Sequence, residues 1–299
     1  MWWTWVAMAA PTDAQLAEVA ATAGMTVDEV KAALDGVTSD PTVLERMAKP
    51  WEAKPWHAYR KLFLTDARIE GGRAFLAEHA DTLARAESET GVPREVVVAI
   101  LGVETSYGTK MGDDDVKRAL YTLGFEHPKR GSFFRSELGH YLRLSADQGW
   151  EAQKGSYAGA MGMGQFMPSS YRSYAVDFDH DGDIDLFTSP EDAIGSVANY
   201  FAKHGWVKGG PVLLDVSGDA LAAVTKGLEP DTKPAVLAAR GITVTGTEGP
   251  VKLLAFDTPD GKEVKAGAKN FYVITRYNHS PLYARAVFDL ATALSAPPQ

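Results

Sequence analysis

The sequence predicts a mainly helical α+β protein, and three observations support that class. Residues from Asp13 to about Glu89 are rich in Ala, Leu, Glu and Lys, types with high helix propensity. Apolar residues then recur at helical spacing in VPREVVVAILGVETSYG (92–108) and DAIGSVANYFAKHGW (192–206). Between 207 and 270 the character changes to β-branched residues separated by turn signals such as PDG. With 299 residues, 45% of them hydrophobic, the chain can bury a substantial core.

Taken in order, residues 1–12 open with MWWTWVAMAAP, apolar and ending in small residues like the tail of a secretion signal, but without a basic stretch. They are read as a remnant signal or an unstructured tail. Residues 13–90 are expected to form a helical N-terminal domain, punctuated by KPWEAKPWHAYRKLF. Pro93 suits a first helical position because no N–H is needed there. The helix it opens is expected to run to about Tyr107 and stop at Gly108, a residue fit for a left-handed cap. Residues 131–150 read as an amphipathic helix, and KGSYAGAMGMGQFMPSSYRSYAVD as loop with a short helix. Ser189-Pro190-Glu191-Asp192 opens a further helix ended by Gly205, which closes a core expected over 91–206. VLLDV, ITVTG, VKLLAFDTPDGKEVKAG and NFYVITRYN read as strand-like, which makes 207–270 a small β-rich insertion with short helical pieces. Helix returns from Asn278 to about Ser295, so 271–299 completes the core.

Composition excludes several classes. A formal charge of −9 argues against broad nucleic-acid binding, which would need a basic face. With no cysteine, disulfides, thiol catalysis, Cys-based zinc sites and an acylated cysteine anchor are all excluded for this chain. No apolar run approaches a membrane-spanning length, so a soluble protein is expected.

Three stretches carry chemistry. Glu104 follows Val97, Ile100 and Leu101 at helical spacings, which puts it on the inward face. An apolar setting destabilises the charged carboxylate and raises its pKa, as a general acid requires. A Glu near a helix end that ion-pairs or caps a neighbour is the commoner case, and position alone does not displace it. In GSYAGAMGMGQFMPSSY (155–171), small residues let the backbone pass close to a ligand. Ser156 and Gln165 could then offer hydrogen bonds, while Tyr157, Tyr171 and Tyr174 offer flat faces. Tight helix packing explains the small residues equally well. The third stretch, YNHSPLY (277–283), sets Tyr277, Asn278 and Tyr283 at an expected strand-to-helix junction, where Asn278 could simply be an N-cap.

Together with KPWHAYR, EDAIGSVANYFAKHGW and YVITRYNHSPLYARAV, these stretches resemble the membrane-bound lytic transglycosylase B family of peptidoglycan-cleaving enzymes. They occur in the family's order and cover most of 50–206 and 270–290. The resemblance implies a lysozyme-like helical catalytic core with Glu104 as catalytic acid/base. It implies Ser156, Gln165 and Asn278 as contacts to the glycan and its N-acetyl groups, with Tyr59, Tyr200, Tyr277 and Tyr283 lining the groove. Lys129 and Arg130 fall where the family has a basic pair that could meet stem-peptide carboxylates. Two departures stand out: Ser106 occupies a place where Arg is common, which bears on a subsite, and the anchor cysteine is missing.

DFDHDGDID (177–185) places Asp177, Asp179, Asp181 and Asp183 at alternate positions around Gly182, the start of an EF-hand-like calcium loop. Position twelve is Thr188 rather than Glu. The resemblance points to Asp192 as the closing ligand over 177–192, although Asp192 could instead belong to a capping box behind Ser189. A structural Ca2+ is expected, and no organic cofactor.

The resemblance supplies only one carboxylate, whereas most glycosidases use two; Glu137 reads as structural. A single acid/base suits a lyase that forms 1,6-anhydromuramyl ends without water. The alternatives are a hydrolytic muramidase and a non-catalytic peptidoglycan-binding protein. Glycan strands and stem peptides are the expected partners of a monomer, in the periplasm or cell envelope.

Overall fold

The structure is a computed structural model that describes residues 10–48 and 54–297. The apolar start up to residue 9, and the first Pro-Trp pair at 50–51, lie outside the described residues.

In chain order the helices begin with α1 (Asp13–Ala23), α2 (Val27–Ala33) and α3 (Pro41–Met47). Each is opened by a side-chain cap, from Thr12, Thr26 and Asp40 respectively, which satisfies an N–H that the helix itself cannot. Then come α4 (Trp56–Tyr59), α5 (Asp66–Glu78), α6 (Ala80–Thr90) and α7 (Arg94–Thr105). A short pair, β1 (Asp114–Asp115) with β2 (Lys154–Gly155), encloses α8 (Val116–Glu126) and α9 (Gly131–Gln148). After α10 (Pro168–Tyr174) and α11 (Pro190–Lys203), a small sheet is built from β3 (Leu213–Ser217), β4 (Thr243–Val244), β5 (Lys252–Thr258) and β6 (Gly261–Gly267). The short helix α12 (Pro234–Ala238) precedes β4, and α13 (Lys269–Tyr277) and α14 (Pro281–Ser295) close the chain.

These elements fall into two compact units. The first comprises residues 1–49, 111–161 and 165–173; the second comprises 50–110, 162–164 and 174–299. In the first, α8 and α9 form an antiparallel pair whose core is Leu120, Leu123, Phe134, Leu138 and Tyr141. Glycine at 139 lets α1 approach α9: a Cβ there would lie 2.7 Å from the Val19 carbonyl oxygen. In the second, α7 is buried from Val96 to Val103, with Val97, Val98, Ala99, Ile100 and Leu101 fully enclosed by α5, α6, α11 and α14.

The antiparallel sheet runs β4-β3-β6-β5. Its hairpin β5–β6 closes at Pro259-Asp260, between the paired residues Thr258 and Gly261, as the PDG signal predicts. One expectation fails here. NFYVITRYN is not strand-like: residues 269–277 form α13, with Asn270, Phe271, Ile274 and Thr275 buried at helical spacing. Its β-branched residues suit either state, and burial against the rest of the unit selects the helix.

Candidate active site

Glu104 sits in the last turn of α7, and that turn ends earlier than the sequence predicts. The helix stops at Thr105, and Ser106 (φ 51°) and Tyr107 (φ 61°) are already left-handed before Gly108 (φ 83°). Two successive non-glycine residues in this region are strained, so tertiary contacts must hold them. Tyr107 supplies those contacts. Its ring fills a slot made by glycines: a Cβ at Gly72 would lie 2.5 Å from its hydroxyl oxygen, and one at Gly102 2.7 Å. Its hydroxyl donates to the Arg68 carbonyl at 2.7 Å, and burial pushes its pKa up to about 12. Ser106 accepts a hydrogen bond from the Arg68 guanidinium at 3.0 Å.

The Glu104 side chain meets tyrosines. Tyr283, at the start of α14, donates its hydroxyl to Glu104 Oε1 at 2.5 Å. Its placement follows from Ser280, which caps α14 by accepting the Tyr283 N–H. The YNHSPLY stretch is therefore a helix-to-helix junction rather than a strand-to-helix one, and its N-cap is Ser280, not Asn278. Asn278 is the extended residue (φ −139°) that ends α13. Burial raises the Glu104 pKa to about 7, and the Tyr283 bond opposes that rise. Tyr277 and Tyr283 are both held well above the usual phenol range, first by burial and then by the neighbouring Glu104. Tyr277 donates to the Gly164 carbonyl at 2.5 Å and packs edge-on against Tyr200, whose hydroxyl donates to the Arg276 carbonyl at 2.6 Å. Tyr59, buried on α4, stands between Trp56 and Phe63 and contributes to the Tyr283 shift. Glu104, Tyr59, Tyr200, Tyr277, Asn278 and Tyr283 thus all belong to the second unit.

One participant was not legible in the sequence. Thr105, fully buried beside Glu104, donates its hydroxyl to the Met163 carbonyl at 2.7 Å. Only its adjacency to the acid could have flagged it.

Ser156, Gln165, Lys129 and Arg130 belong to the first unit. Ser156 Oγ accepts from the Ala160 N–H at 3.0 Å within a tight turn. Gln165 is left-handed (φ 50°), and its side-chain amide donates to the Met111 carbonyl at 3.0 Å. Lys129 and Arg130 are exposed between α8 and α9, with the Arg130 guanidinium lying over the rings of Phe133 and Phe134. Glu137 is structural: its two carboxylate oxygens accept from the Ser169 N–H and hydroxyl, at 2.9 and 2.7 Å.

In the acidic loop, donor oxygens of Asp177, Asp179 and Asp192 lie within 4.8 Å of one another. Asp177 and Asp179 accept backbone N–H groups of the loop, as EF-hand side chains do when they shape the turn around Gly182 (φ 97°). Asp181 and Asp183 lie on the exposed part, accepting from the Asp183 and Ile184 N–H groups. Asp192 is buried, and its carboxylate turns back into the loop to accept from Phe178 and Asp185 N–H groups at 2.6 and 2.7 Å. Ser189 still caps α11 by accepting the Asp192 N–H. Three converging carboxylates with hard oxygen donors fit a calcium ion.

A helical fold in which a largely buried central helix ends in a carboxyl group packed against tyrosines is the layout of a lysozyme-like enzyme. Comparison with known proteins narrows that class. Residues 9–292 match the transglycosylase SLT domain family. The membrane-bound lytic murein transglycosylase B of Escherichia coli (strain K12) is 45% identical over 245 residues, covering 80% of this chain and 67% of the relative. The crystal structure of the soluble lytic transglycosylase SltB1 from Pseudomonas aeruginosa has a TM-score of 0.88 at 44% identity, covering 95% of this chain and 97% of that one. The Escherichia coli lytic transglycosylase Slt35 in complex with calcium has a TM-score of 0.83 at 40% identity, covering 94% and 91%. The chain belongs to the transglycosylase SLT family, the lytic murein transglycosylases. No helix among the described residues is long and apolar enough to cross a membrane.

Proposed function

We propose that this chain cleaves the β-1,4 bond between N-acetylmuramic acid and N-acetylglucosamine without water, leaving 1,6-anhydromuramyl ends, and that it works on the cell wall from the periplasm or cell envelope. The observation that carries this reading is Glu104, a carboxyl that accepts the Tyr283 hydroxyl and whose pKa, raised by burial to about 7, keeps much of it protonated near neutrality. Tyr283 occupies Oε1, which leaves the acid proton on Oε2. Glu104 gives that proton to the O4 of the departing N-acetylglucosamine as the C1–O4 bond breaks. The muramic N-acetyl carbonyl attacks C1 and stabilises the developing positive charge. Glu104, now a carboxylate, takes the proton from the C6 hydroxyl as O6 closes onto C1 and the carbonyl departs, so the acid is regenerated. The family resemblance supplies no second carboxylate to activate water, which makes internal closure the economical route.

Ser156, Gln165 and Asn278 are proposed to hold the sugar and its N-acetyl group in the reactive pose, a role that rests on the family resemblance. Tyr59, Tyr200, Tyr277 and Tyr283 would line the groove and exclude water, and Lys129 and Arg130 would meet stem-peptide carboxylates. Asp177, Asp179 and Asp192 would hold a calcium ion, with Asp181 and Asp183 contributing to the same loop. Bound there, the ion would neutralise like charges and stiffen the loop, a structural role.

Glu104→Gln tests the assignment. It is expected to lower turnover of purified peptidoglycan by at least about a hundredfold, the scale of a lost general acid, while binding persists. A variant that still cleaves at the wild-type rate would overturn it.

A further inference from the structure

We propose that Thr105 is a positioning residue whose hydroxyl sets the depth and orientation of the Glu104 carboxyl by tying the end of α7 to the Gly162–Gly164 segment. A threonine in the last turn of a helix ordinarily returns its hydroxyl to the carbonyl four residues back. Here that contact, to Leu101, is long at 3.3 Å, and the short bond of 2.7 Å goes to the Met163 carbonyl. The same hydroxyl oxygen accepts the Gly108 N–H at 2.9 Å, so it also secures the strained turn that follows the acid.

The segment that receives Thr105 is itself held. The Met163 N–H donates to the Leu186 carbonyl at 2.8 Å, and a Cβ at Gly162 would lie 2.5 Å from that carbonyl oxygen. The next carbonyl along, that of Gly164, accepts the Tyr277 hydroxyl. Consecutive carbonyls therefore grip the helix bearing the acid and one of the tyrosines that enclose it. Adjacent residues are covalently spaced at about 3.8 Å between Cα atoms, so the pair acts as a gauge between Glu104 and Tyr277. Without the Thr105 hydroxyl, the buried Met163 carbonyl and the half-buried Gly108 N–H both lose this partner. The end of α7 can then shift against Tyr277 and admit water to the carboxyl.

The inference rests on Glu104 being the acid, so Glu104→Gln is assayed beside the Thr105 variants on purified peptidoglycan. Thr105→Val keeps shape and removes the hydroxyl; Thr105→Ser keeps the hydroxyl. The valine variant is expected to lose about tenfold or more in kcat with KM little changed, since small misplacements act on the reacting geometry. Its activity is expected to fall off at lower pH than in the wild type, because water around Glu104 favours the ionised form. The serine variant is expected to retain both kcat and pH profile. A folded valine variant with wild-type kcat and pH profile would overturn the inference, as would equal losses in serine and valine. An unfolded valine variant beside a folded serine variant would also overturn it, since the hydroxyl would then serve folding alone. Full activity in Glu104→Gln would instead sink the acid assignment itself.

Discussion

At the residue scale, the account turns on what enclosure does to Glu104. Its pKa is raised from 4.5 to about 7, so the folded state holds a proton that the unfolded chain has released. That contribution to stability is fully present below about pH 4.5 and is lost as pH rises through about 7. Glu104→Gln, which carries no charge at any pH, is therefore expected to melt above the wild type at about pH 8, with the gap closing as pH falls toward 4.5. Equal melting temperatures across that range would contradict the enclosed carboxyl. Activity should fall as pH rises through about 7, because the ionised acid has no proton to give. Tyr283→Phe removes the one bond that favours the ionised form, so this fall is expected to move to higher pH. The lost bond to a charged group is worth about 1.5–3 kcal/mol, so kcat should drop roughly ten- to a hundredfold. A pH profile unchanged in Tyr283→Phe would rule out the bond as an influence on the acid. The inward face of Glu104 is legible from its place behind Val97, Ile100 and Leu101, because helical spacing is a local signal, but its role as the acid is legible only through the family resemblance. Thr105 is not legible, because its partner Met163 lies 58 residues away and is a backbone carbonyl without side-chain identity.

At the element scale, the acidic loop and the end of α7 show what local pattern can and cannot specify. The alternation of Asp177 and Asp179 around Gly182 is a short-range device, and those side chains do shape the loop backbone. The convergence of Asp192 depends on how α11 enters, and was readable only through the family. If calcium occupies the loop, a chelator should lower the melting temperature of the wild type by several degrees and leave an Asp177→Asn, Asp179→Asn double variant unmoved. A chelator without effect on the wild type would remove calcium from the account. Glycine-based capping rules predicted that α7 would run on to Gly108, but the slot of Gly72 and Gly102 draws Tyr107 back two residues sooner. Similarly, β-branched residues made α13 look extended, and only the burial of Phe271 and Ile274 on one face makes it a helix.

At the scale of the whole molecule, the mainly helical class with a small antiparallel sheet follows from composition and period. The assembly does not. The first unit is gathered from three separate stretches of chain, and β3 pairs with β6 about fifty residues away, Leu213 opposite Gly267, contacts that no local pattern encodes. The β5–β6 hairpin was legible because its turn is local. The central claim, that one enclosed carboxyl drives an internal closure rather than hydrolysis, is a claim about the product. Mass spectrometry of purified peptidoglycan digested by this protein tests it most directly. The account predicts muropeptides lighter by one water, with non-reducing 1,6-anhydro ends at muramic acid. Hydrated, reducing muramic ends as the main product would contradict it.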